Sequence, residues 1–146
     1  MELPRYNTHT GRRRKVYEFI SQGPKGRITK RVYFQETTKE NYVSLLMGDY
    51  KHETGETDFL NVSNNGDRDK VLATIADICY SYFELYPTHV ITFTGANEAR
   101  TRLYQMAINI HLDELSLDFH IFGERNKAVE TFKKNVNYSA FYVMLK

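Results

Sequence analysis

Polar and apolar residues alternate through the first third of the chain and switch to helical spacing near residue 71. Residues 15–21 combine aromatic and β-branched side chains and predict a strand. Gln22-Gly23-Pro24-Lys25-Gly26 then supplies hairpin turn chemistry, and residues 27–36 return as a second strand. In that strand Ile28, Val32 and Phe34 share one face, interrupted by Lys30, while Arg27, Thr29, Arg31, Tyr33 and Gln35 share the other. One face packs; the other is basic and partly aromatic. Residues 42–49 and 58–62 predict two further strands across an acidic connection, completing an antiparallel four-strand meander.

Ser63-Asn64-Asn65-Gly66-Asp67 ends the meander with turn and capping residues. Val71, Leu72, Ile75, Ile78, Cys79, Tyr82, Phe83 and Tyr86 then recur at helical spacing until Pro87. Residues 88–94 predict a strand, and Asn97 or a nearby residue caps a second helix running to about Leu115. On that helix Ala99, Leu103, Met106, Ala107 and Ile110 form one apolar sector and Ile108, Leu112 and Leu115 another. Arg100, Tyr104 and His111 lie between the sectors, and Arg102, Gln105, Asn109 and Asp113 point outward. Residues 119–123 predict a strand, 127–134 a short helix and 140–146 a last strand. The expected fold is α+β: an antiparallel sheet with an N-terminal four-strand meander, two main helices packed on it and additional C-terminal strands. Residues 1–14 are expected to form a basic flexible arm, and 15–146 a single domain.

Composition sharpens this in three ways. At 146 residues the chain suits one core, and 11 Tyr and 9 Phe with no Trp favour a sheet-rich one. The net charge of +2 hides an asymmetry, because residues 1–35 hold nine Lys/Arg against two Asp/Glu. A basic front end points to an acidic partner or to an ordinary solvated run. The single cysteine excludes a disulfide scaffold, and no apolar run is long enough for a membrane helix or a signal core, so a cytoplasmic protein with no membrane contact is expected.

Two sets of residues carry candidate chemistry. Lys25, Arg27, Arg31 and Tyr33, with Tyr17 as a further candidate ring, place phosphate-binding cations beside aromatic rings on a sheet face, a combination that suits single-stranded nucleic acid. Arg100, at the start of the second helix with Tyr104 and His111 on its stripe, suits an anion; the structural alternative is that Arg100 pairs with Asp67 or Asp69. His120 is a possible general base for RNA cleavage. Asp49, His52, Glu53, Glu56 and Asp58 are chemically fit for a metal but lack metal-site spacing, and nucleotide-binding glycine patterns are missing, so no metal or cofactor is expected.

Three resemblances bear on function. Asn97 and Tyr104 look like the asparagine-to-tyrosine segment of acetyl-coenzyme A acetyltransferases, but the glycine-rich loop of those enzymes is missing, which excludes that activity. Lys25-Gly26-Arg27-Ile28 is similar to a short segment of purine-rich-element-binding repeats, which contact single-stranded DNA or RNA. Gly26-Arg27-Ile28-x-Lys30, Asn64-Asn65-Gly66-Asp67, Lys70-Val71-Leu72-Ala73-Thr74 and Ala99-Arg100-Thr101-Arg102-Leu103-Tyr104 together resemble a family of small bacterial proteins that is classified only as a domain of unknown function. That last resemblance implies a stand-alone cytoplasmic protein and transfers no activity. The residues favour a non-catalytic nucleic-acid-binding module, with a toxin-type RNA-cleaving enzyme and a homodimeric interaction domain as alternatives.

Overall fold

A computed structural model describes residues 4–60, 63–95 and 97–146. The chain runs through β1 (His9–Thr10), β2 (Val16–Gly23), β3 (Gly26–Glu36), β4 (Tyr42–Lys51) and β5 (Glu56–Asp58) to α1 (Arg68–Leu85). It continues as β6 (Val90–Phe93), α2 (Glu98–Leu115), β7 (Phe119–Arg125), β8 (Ala128–Thr131) and β9 (Ala140–Leu145). All of these strands join one sheet in the order β1-β2-β3-β4-β6-β9-β7-β8, with β5 also paired to β4. Every pairing among them is antiparallel except β4 with β6. The exception follows from connectivity, since α1 carries the chain back along the sheet before β6 begins, as a parallel crossover requires.

The strand register makes one face of this sheet continuously apolar. Phe34 lies across from Leu45, Leu45 from Phe93, and Phe93 from Phe141. Ile91, Val143 and Ile121 form the next row. Both helices cover this face. From α1, Tyr82 stacks on Phe34 at 4.0 Å between ring centroids, and from α2, Tyr104 meets Phe93 edge-on at 5.3 Å. Full burial of each such side chain contributes roughly 1.5–3 kcal/mol. Lys30, the residue that interrupts the apolar face of β3, is matched by its cross-strand partner Asp49.

Several expectations are corrected. Residues 127–134 contain a strand, not a short helix: Asn126 and Lys127 both take positive φ, which turns β7 directly into β8. The fourth strand is β5 at Glu56–Asp58, earlier than residues 58–62, of which 61 and 62 lie outside the described residues. On α2 the stripe of Arg100 and Tyr104, with Ile108, faces the core, so the two-sector reading does not hold. Gln105 is buried too, donating to the Val136 carbonyl and accepting from the Tyr138 amide, whereas Ile110 is 64% exposed. Among residues 4–14, only β1 forms regular structure. The Tyr6 ring stacks on Phe19, its hydroxyl donates to Asp67, and the Arg14 guanidinium donates to the Ser81 carbonyl.

Candidate functional site

The face turned away from the helices is largely uncovered. It presents Glu18 and Ile20 from β2, Arg31 and Tyr33 from β3, Tyr42, Leu46 and Tyr50 from β4, and Tyr142 from β9, all half-buried. Their positions follow from strand alternation, because each is one residue away from a core side chain. Thr57 and Phe59 reach over part of this face: the Tyr33 hydroxyl shares a hydrogen bond of 2.7 Å with Thr57, and its ring meets Phe59 edge-on. Gly48 admits that crossing, since a Cβ there would come within 2.6 Å of the Asp58 carbonyl oxygen.

Arg31 meets both an aromatic ring and a carboxylate on this surface. Its guanidinium lies 3.6 Å from the centroid of the Tyr50 ring, and its Nε donates to Glu18 at 3.0 Å. Burial works against the charge, but Tyr33 and Glu18 more than offset it and hold the Arg31 pKa above its ordinary value. A half-exposed ion pair of this kind contributes only about 0–1 kcal/mol. Further along, Tyr42 and Tyr142 lie edge to face at 6.4 Å, with the Lys39 ammonium 4.1 Å from the Tyr42 centroid. Burial, together with the Glu124 carboxylate that its hydroxyl contacts, pushes the Tyr142 phenol up to about 12.

Of the four hairpin residues, Arg27, Arg31 and Tyr33 therefore share one face. Lys25 sits in the β2–β3 turn, where its backbone amide donates to Asn65 Oδ1, and both Lys25 and Arg27 are exposed. The strand pattern of β3 made this set legible, whereas Tyr17 is buried against Phe34 on the covered face and does not join it. Tyr50, Tyr42 and Tyr142 were missed as partners, although alternation within their own strands is the signal that would have found them.

The second set divides. Arg100 is 3% exposed and donates from Nη1 to the Met47 carbonyl at 2.7 Å, on the stretch of the β4 edge left between β5 and β6. The expected partners are engaged elsewhere: Asp67 accepts from Ser21 and Tyr6, and Asp69 pairs with Arg68 at 3.7 Å. Asn97 Oδ1 accepts from the Arg100 amide and so caps α2. Tyr104 lies against Arg100, and burial raises its phenol pKa although the guanidinium works the other way. His111 is separate: it interrupts α2 with non-helical torsions and borders an apolar cavity.

Around Arg100 a cleft of about 1040 Å³ opens between the first turns of α1 and α2. Lys30 lines it, donating to Asp49 at 2.6 Å and to the Ser63 hydroxyl at 2.5 Å. Lys30 thereby ties β3 to Asp49 on β4 and to Ser63 ahead of α1. Arg100 belongs to the helix layer, whereas His120 is exposed on the opposite face of the sheet between buried Phe119 and Ile121. An RNA-cleaving centre built from Arg100 and His120 is not assembled. The residues of the acidic loop are dispersed, with Asp49 facing Lys30 and His52 bonded to Thr29.

One open mixed sheet, with both helices on one face and aromatic rings on the other, defines a two-layer α+β protein. The chain belongs to a family of unknown function, DUF6934, whose model matches residues 2–146. No curated protein and no solved structure matches it. No described helix is long and apolar enough to cross a membrane.

Proposed function

We propose that the protein is a non-catalytic module that binds single-stranded nucleic acid across the open face of its sheet. The observation that carries this reading is the Arg31–Tyr50 stack, at 3.6 Å, on a face that also bears Tyr33, Tyr42 and Tyr142. Bases stack on such rings for about 1–3 kcal/mol each, with little sequence preference. Lys25 and Arg27, exposed at one end of the same hairpin, supply phosphate contacts, and Lys39 supplies one near Tyr42. RNA and single-stranded DNA both fit this chemistry, because the recognition is by π-face and phosphate.

Fluorescence anisotropy with a labelled uridine oligonucleotide at several salt concentrations tests it. Tyr50→Ala is expected to weaken binding by about 1–3 kcal/mol. Lys25→Ala with Arg27→Ala is expected to flatten the salt dependence by roughly 0.7 for each phosphate that is no longer neutralised. Absence of binding at low salt, or equal binding by a folded triple variant, overturns the proposal.

A further inference from the structure

The covered layer holds a second space that nucleic-acid binding does not use. Between α1 and α2, above β6, β7 and β9, lies a cavity of about 80 Å³ bordered by Cys79, Phe93, Ile108, Ile121 and Val143. Its walls are almost wholly apolar. Of the polar side chains beside it, Tyr104 directs its hydroxyl toward Arg100, and His111 stands at the break in α2. Protein interiors leave few voids larger than a water molecule. This one, partly open to solvent, holds several times the roughly 10–15 Å³ that one water needs, and two of its lining residues are alanines, Ala76 on α1 and Ala107 on α2. A longer side chain at either position would fill it.

We infer that this cavity between α1 and α2 is a binding site for a compact neutral hydrophobe, a single aromatic ring or a short branched alkyl group. Three physical arguments choose the class. A buried water needs two to four polar partners, and these walls do not supply them. A carboxylate or ammonium placed here would lose its hydration without a paired charge. An apolar ring loses nothing polar and gains dispersion contacts with Phe93, Ile108 and Ile121. His111, where α2 departs from helical torsions with φ −110° and ψ 17°, borders the same space.

Toluene is the probe, with benzoate as its charged counterpart of similar shape. Titration of the full chain, followed by methyl NMR, is expected to give saturable shifts at Ile75, Ile108, Ile121 and Val143. Tm should rise with the logarithm of toluene concentration. Benzoate is expected to bind at least tenfold more weakly, and Ala107→Leu or, separately, Ala76→Val to abolish the toluene shifts while keeping a folded methyl spectrum. Unmoved methyls in the wild-type chain at the solubility limit of toluene overturn the inference, as do equal shifts in a folded filled variant or equal affinity for benzoate. None of these readouts depends on oligonucleotide binding.

Discussion

The two faces of the sheet use the same residue types for different ends. On the covered face Tyr17 and Tyr82 are almost completely buried, and both rings pack on Phe34. On the open face Tyr33, Tyr42, Tyr50 and Tyr142 are half-buried, with Tyr50 against Arg31, Tyr42 against Lys39 and Tyr142, and Tyr33 against Phe59. A tyrosine therefore says little by itself. Which side of the pleat it occupies decides whether its ring contributes to stability or remains open to a partner.

Phe34 and Tyr33 test that contrast most directly, being adjacent in sequence and opposite in facing. Phe34→Ala removes a ring that meets both Tyr17 and Tyr82 and is expected to cost about 3–5 kcal/mol in urea unfolding. Tyr33→Ala loses one hydrogen bond and one edge-on ring pairing, about 1–2 kcal/mol together. Equal losses would erase the distinction between the faces.

The charged pair on the covered face sharpens the contrast. Asp49→Ala leaves the Lys30 ammonium buried without its carboxylate, and a broken buried pair costs about 3–5 kcal/mol. Replacing both residues, Lys30→Met with Asp49→Leu, is expected to recover most of that loss, because the row then becomes apolar like its neighbours. On the open face, Glu18→Gln beside Arg31 is expected to change stability by no more than about 1 kcal/mol.

The smallest effect is with pH. Burial and the nearby Lys15 ammonium lower the His89 pKa, and its Nδ1 shares a 2.8 Å hydrogen bond with the Tyr82 hydroxyl. A histidine depressed in the folded state favours folding while neutral. Its contribution is complete above its unfolded pKa of about 6.5 and is lost as pH falls below that value. Thermal unfolding is expected to show Tm declining between about pH 7 and pH 5, with a shallower decline in His89→Gln. An unchanged slope in that variant would remove His89 as the source.

Parts of this arrangement were legible and others were not, for identifiable reasons. The β2–β3 hairpin was legible because Gly26 supplies the positive φ that its turn uses and β3 alternates cleanly. The β7–β8 hairpin was hidden, since its turn places Asn126 and Lys127 at positive φ with no glycine to mark it. Asn126 was the one clue, as asparagine tolerates that region better than most residues. Helical periodicity located α2 but not its orientation. Gln105 is buried because a loop 31 residues away presents the Val136 carbonyl, while Ile110 turns outward and is exposed.

Local sequence by itself determined the α+β class, the long amphipathic α1 and the basic, aromatic outer face of β3, because each depends on periods of 2 or 3.6 residues and on turn chemistry within a few positions. Only tertiary structure decided that β6 lies parallel to β4, that Arg100 meets the Met47 carbonyl rather than Asp67, and that Tyr50 lies against Arg31. Those outcomes depend on strand order and register between distant segments. Such pairings are set by how the whole apolar face closes under two helices, a condition that no short window of sequence contains.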